Sequence, residues 1–153
     1  MRGVVIAVAV AGALGAALLV RTAPDPRQAE LEREFARGVA LLQQHDAAGA
    51  AAALHRVLRV APQLPEAHVN LGYAMLDLGR AKEARVAFDQ ATTLRPMQAN
   101  AYYGLALAHE ALGERDAATG AMRSYLHLAR EASPEHLRRA RAALWEWEQQ
   151  RPH

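Results

Sequence analysis

The chain has no cysteine among its 153 residues, which excludes disulfides, thiol nucleophiles and a lipid-bearing cysteine. It also lacks an excess of either charge. Eighteen Lys and Arg stand against 16 Asp and Glu, a formal net of +2, whereas a helical array that grips nucleic acid needs a distinctly basic face. The seven histidines fall at no metal-ligand spacing, and His109-Glu110 lacks the second histidine that a zinc-binding helix requires. Neither a Gly-rich phosphate loop nor a nucleophile elbow is present. These absences predict a protein that is not an enzyme, with no cofactor and no small-molecule substrate. β-Branched residues are sparse beyond the N-terminal segment, while Ala, Leu, Arg and Glu dominate, so helix is predicted throughout.

What the chain does have is an internal period of 34 residues. Aligning 31–64, 65–98 and 99–132 puts Gly38, Gly72 and Ala106 in one column. Ala50, Ala84 and Ala118 fall in a second, and Leu54, Phe88 and Met122 in a third. Small residues in a column let two helix backbones approach closely, and a large side chain there would overpack the contact. Within a copy, Leu71, Met75 and Leu78 follow helical spacing up to the turn Leu78-Gly79-Arg80, as Leu112-Gly113-Glu114 does one period later. The second helix then returns a small-large-small face, Ala84, Phe88 and Ala91. Pro62 and Pro96 end their helices, because proline donates no backbone bond and clashes with the preceding turn.

The middle copy, with His68, Leu71-Gly72, Met75, Ala84, Phe88, Ala91 and Pro96, resembles the tetratricopeptide repeat. The first copy keeps Gly38, Ala50, Leu54, Val57 and Pro62 but has Arg37 where Leu is usual. The third has Ala106 for Gly, Tyr125 for the later Ala and Arg130 for Pro, which predicts a last helix running on past Arg130. Over 133–153, Ser133-Pro134-Glu135 reads as a helix start, and Leu137, Ala140, Leu144 and Trp147 share one face of a capping helix. Arg138, Arg139 and Arg141 lie on its solvated side. The fold class expected is all-α: an α-solenoid of three helix-turn-helix repeats plus a C-terminal capping helix, preceded by an N-terminal transmembrane helix.

That transmembrane helix is expected within 1–21. Val4 to Val20 is an uninterrupted apolar run between Arg2 and Arg21. As a helix it extends about 25 Å, just enough for the roughly 30 Å hydrocarbon core. No clear small-x-small cleavage site follows it, so an uncleaved anchor is favoured, the alternative being a signal cut near Gly15-Ala16-Ala17. Gly3, Ala7, Ala11 and Gly15 form a small-residue stripe that Ala-rich composition alone would produce. Residues 22–30, with Pro24 and Pro26, are expected to be a linker that holds the repeats near the bilayer. Basic residues on both sides of the run leave the positive-inside rule divided. A short leader ahead of the run and a whole domain behind it favour the non-cytoplasmic side, periplasmic in a bacterium.

The resemblance implies that the first helices of successive repeats line a concave groove. Its floor would be Phe35, Val69 and Tyr103 with Val39, Tyr73 and Leu107 beside them, rimmed by Glu66, Asn70, Asp77, Asn100 and Glu110. An apolar and aromatic floor with amide and acidic edges suits a peptide. Some of these side chains would alternatively pack against a neighbouring helix. The carboxylate clamp of chaperone-binding members is not expected, since Phe35, Asn100 and Gly104 stand where it wants Lys or Arg and only Asn70 has a counterpart. The function implied is a membrane-anchored adaptor that binds a protein or peptide partner, with no nucleic acid. A structural subunit whose groove is filled by a neighbour is the alternative.

Overall fold

The computed structural model describes residues 25–150. The expected anchor and the first residues of the expected linker lie outside them. Seven helices follow in order: α1 (Pro26–Gln43), α2 (Ala47–Val60), α3 (Pro65–Asp77), α4 (Ala81–Leu94), α5 (Ala99–Ala111), α6 (Arg115–Leu128) and α7 (Pro134–Gln149). Among the described residues no helix is long and apolar enough to cross a membrane.

Each first helix ends in the same way. In α3 the Gly79 N–H donates to the Leu76 carbonyl and the Arg80 N–H to the Met75 carbonyl, with Gly79 at φ 72°. In α5 Gly113, at φ 75°, and Glu114 repeat this on Glu110 and His109. The paired bonds satisfy carbonyls that a helix end leaves free, and they need one left-handed residue, where glycine pays no steric cost. In α1 that residue is His45, at φ 60°. The Asp46 carboxylate then accepts from the Gly49 N–H at 2.9 Å and starts α2.

Two expectations need correction. Residues 22–30 were expected to be a linker, but α1 begins at Pro26. Asp25 accepts from the Arg27 N–H at 2.9 Å, and proline's fixed φ suits the first helical position, so a stretch that composition marks as a stiff spacer starts a helix instead. The second helix of the third repeat, expected to pass Arg130, stops at Leu128. The Ala129 N–H makes the last helical bond to the Tyr125 carbonyl, and the Arg130 N–H turns to Leu128. Ser133 precedes a proline, which disfavours helix there, and its hydroxyl caps α7 by accepting from the His136 N–H.

The columns read from the period are the core. Ala50, Ala84, Ala106 and Ala118 are fully buried, as are Leu54, Phe88 and Met122. Gly38 must be small because a Cβ there would stand 2.9 Å from Leu54 Cγ. Gly72 is held tighter still, with Phe88 Cζ at 2.6 Å from such a Cβ. Arg56 on α2 also donates to Glu34 on α1 at 3.0 Å, tying the two helices of the first repeat at their outer edge.

Neighbouring first helices touch, α1 with α3 and α3 with α5, whereas α2, α4 and α6 make no comparable contact with one another. An array whose members are closer on one side curves toward that side. The first helices therefore form the inner face and the second helices the outer one. Helix α7 packs against α6 and closes the C-terminal end. Ala140 and Trp147 are buried there, with Leu137 and Leu144 half-buried, which is the face expected from their spacing. An Arg123–Glu148 ion pair at 2.7 Å reinforces the contact.

Candidate peptide-binding groove

The inner face sorts the expected groove residues into three groups. Phe35, Val39, Tyr103 and Leu107 are half-buried, and Phe35 and Tyr103 pack against the core. Asp77 and Asn100 are exposed, and Asn70 is half-buried. Val69 does not belong on the open floor: it is only 2 % exposed and is part of the hydrophobic core. The middle of the floor is thus supplied by its neighbours.

Tyr73 is less free than its column suggested. Its ring meets Phe88 edge-on, with centroids 5.1 Å apart and planes at 76°, and its hydroxyl donates to the Asn100 carbonyl at 3.1 Å. Burial, and then the neighbouring phenols of Tyr103 and Tyr125, push its ionisation well above the ordinary phenol range. It is a neutral strut between α3 and α5. Tyr103 leans on Tyr125 at 5.1 Å, and burial followed by the Tyr103 phenol raises Tyr125 as well. Behind the open edge of Tyr103 the aromatic packing is therefore complete.

The rim is partly taken up by the fold. Glu66 pairs with Arg95 from the loop ahead of α5. Glu110 accepts from the Trp147 indole at 2.8 Å, so the capping helix reaches the end of the groove. Sequence reasoning placed Trp147 on the buried face of α7 but gave no sign of this partner, because nothing in the repeat period fixes where a terminal helix crosses the array. Gly104 was also missed as a packing position. A Cβ there would lie 2.2 Å from Phe88 Cε1 and Cζ, so Phe88 is cradled between Gly72 and Gly104 on successive first helices. The column of Gly104 holds Ala36 and Asn70, which hides the requirement.

His68 has its own structural partner, donating from Nε2 to the Pro62 carbonyl at 2.8 Å. It pins the loop into the second repeat. His109 Nδ1 lies 2.6 Å from the Glu114 carboxylate across the α5 turn. A separate cleft of about 520 Å³ lies away from the inner face, between the start of α1 and the end of α2, with Leu31, Val57 and Val60 on its walls.

An array of helix pairs with small residues at each crossing and an open inner face defines a class of binding scaffold, and the comparisons give the type of its repeats. Two family profiles, each described as tetratricopeptide repeat, match residues 41–98 and 74–136. The protein carries tetratricopeptide repeats. No curated protein sequence matches the chain. Among solved structures, the TPR2B domain of yeast Sti1, in a pHsp70 complex, has a TM-score of 0.74 at 21% identity, covering 80% of this chain and 99% of its own. PcrH, in complex with the chaperone binding region of PopD, has a TM-score of 0.73 at 22% identity over 80% of this chain and 93% of its own. The Yersinia enterocolitica type III secretion translocator chaperone SycD reaches 0.75 at 14% identity, over 90% of this chain and 95% of its own. At these identities the likeness is one of fold.

Proposed function

We propose that the protein is a non-catalytic adaptor that binds a segment of a partner protein along the inner face of α1, α3 and α5. Residues 4–20 would tether it to a membrane, with the repeats on the non-cytoplasmic side. The observation that carries the binding is the row of half-buried Phe35, Val39, Tyr103 and Leu107 on the first helices, with Phe35 and Tyr103 backed by the core. Apolar side chains held there, with exposed Asp77 and Asn100 beside them, offer contact area to an extended or helical segment at little entropic cost. Two structures of similar fold are complexes, with pHsp70 and with the chaperone binding region of PopD, which supports the same use here. Support for the tether is the uninterrupted apolar run between Arg2 and Arg21.

Photo-crosslinking from position 100 in the native membrane, followed by mass spectrometry, identifies the partner. Truncating Tyr103 and Leu107 together to Ala is expected to weaken its binding by about 2 kcal/mol, as for aromatic and aliphatic anchors in a packed interface. Undiminished binding by a folded double variant would move the site off the inner face. Reporter fusions after His153, with sequencing of the mature N-terminus, test the tether and its orientation. A mature start near Leu18 or a cytoplasmic reporter signal counts against it.

A further inference from the structure

The sign of the groove's charge points to the class of its partner. By helical spacing Glu32, Phe35, Ala36, Val39, Leu42 and Gln43 share one face of α1, the face of the expected groove residues, and their columns recur every 34 residues through α3 and α5. They contain no Lys or Arg, but four acids: Glu32, Glu66, Asp77 and Glu110. Of these four, only Glu66 has an ion-pair partner among the described residues, Arg95. Glu32 is met by the uncharged Gln28 amide at 3.0 Å and Glu110 by the uncharged Trp147 indole, while Asp77 is exposed. The floor cannot supply the missing cation at Gly104 either, because Phe88 leaves no room there for a side chain.

The placement of two of these acids is unfavourable for the helices that carry them. Asp77 is the last residue of α3, and Glu110 lies in the last turn of α5. A helix C-terminus already bears negative partial charge, so it prefers Lys, Arg or protonated His in its last turn, and an acid there costs a few tenths of a kcal/mol. The last turns of α1 and α3 hold no basic residue, and the one in α5, His109, is turned to Glu114. The carboxylates and the negative helix ends therefore add along one side of the groove, and neither Asp77 nor Glu110 has an ion-pair partner among the described residues.

We infer that the groove takes a cationic amphipathic segment, apolar along one side and bearing Lys or Arg along the other, and that it disfavours acidic peptides. The inference rests on the groove reading above. Leucine-type side chains would meet Phe35, Tyr103 and Leu107, and the basic groups would reach Glu32, Asp77 and Glu110. Complementary charge steers encounter and sets specificity, whereas like charges facing each other across an interface are costly.

The test uses the full-length protein in a neutral detergent and two fluorescein-labelled synthetic peptides of four helical turns. Both carry Leu at i, i+3, i+4 and i+7; one has Lys at the remaining positions and the other Glu. Each exposed charge pair contributes about 1.5- to 5-fold, so the Lys peptide is expected to bind about tenfold tighter or more by anisotropy at about 50 mM salt, and the ratio to shrink several-fold at about 500 mM. Asp77→Lys with Glu32→Lys, at two exposed sites without an ionic partner, is expected to abolish or invert the preference while the circular dichroism spectrum stays unchanged. Equal affinities, tighter binding of the Glu peptide, or no binding of either would overturn the inference and leave the groove reading to the crosslinked partner. If the Lys peptide binds but Tyr103→Ala does not weaken it, the groove reading fails and this inference with it.

Discussion

Replacing His45 by glycine is expected to make the protein more stable. His45 holds φ 60° at the end of α1, the place that Gly79 and Gly113 occupy at φ 72° and 75° in the next two repeats. The left-handed conformation costs a residue with a Cβ about 1–2 kcal/mol. Glycine loses more chain entropy on folding, which returns roughly 0.5–1 kcal/mol. The net gain is about 0.5–1 kcal/mol, or a rise of roughly 2–5 °C in Tm for a helical domain of this size. The paired bonds from His45 to Leu42 and from Asp46 to Leu41 do not involve the imidazole, so they survive the change. Gly79→Ala supplies the mirror experiment. A Cβ at Gly79 meets nothing within 4 Å, so its expected loss of about 1 kcal/mol comes from the backbone alone. Thermal melts followed at 222 nm in neutral detergent read both. If His45→Gly lowers Tm, or Gly79→Ala leaves it unchanged, the turns are not limited by backbone conformation and the argument is wrong.

Gly104→Ala is expected to cost about 1–3 kcal/mol by forcing Phe88 from its cradle, while Gly120→Ala, in the interior of α6 with open space around it, should gain about 0.5–1 kcal/mol; urea melts compare them. Ala84→Leu, at a fully buried helix crossing, should likewise cost about 1–3 kcal/mol, whereas the exposed Gln90→Leu stays within about 0.5 kcal/mol of the wild type. Trp147→Phe keeps the apolar face of α7 but removes the bond to Glu110, so hydrogen exchange in α7 should quicken several-fold, with α3 and α4 unaffected. The phenols of Tyr73 and Tyr125 ionise less readily folded than unfolded, so the folded state holds their protons longer as pH rises. Their contribution is therefore present below about pH 10 and is lost above it; alkaline melts should show this fall, and Tyr73→Phe should reduce it.

The period of 34 residues determined the number of helix pairs, their crossings and their order, because each small-residue column marks a local contact between helices adjacent in sequence. Ala84 opposite the first helix, Gly79 in its turn and the Ser133-Pro134 start of α7 all depend on neighbours a few residues to one period away, and such requirements leave a visible trace. The sequence by itself also determined the sign of the inner face, since the repeat carries each residue to a known column.

Tertiary structure decided what depends on how far one repeat reaches into the next. Val69 is buried in the core, and Tyr73 is drawn into a strut by Phe88 and Asn100. Gly104 is glycine because a phenylalanine from the preceding repeat arrives there, and Glu110 meets Trp147 because α7 happens to cross at that point. Each of these contacts joins residues from different helices through the volume and angle of their packing. A one-dimensional period sets the column of a side chain, but only the packed array sets which column its tip touches.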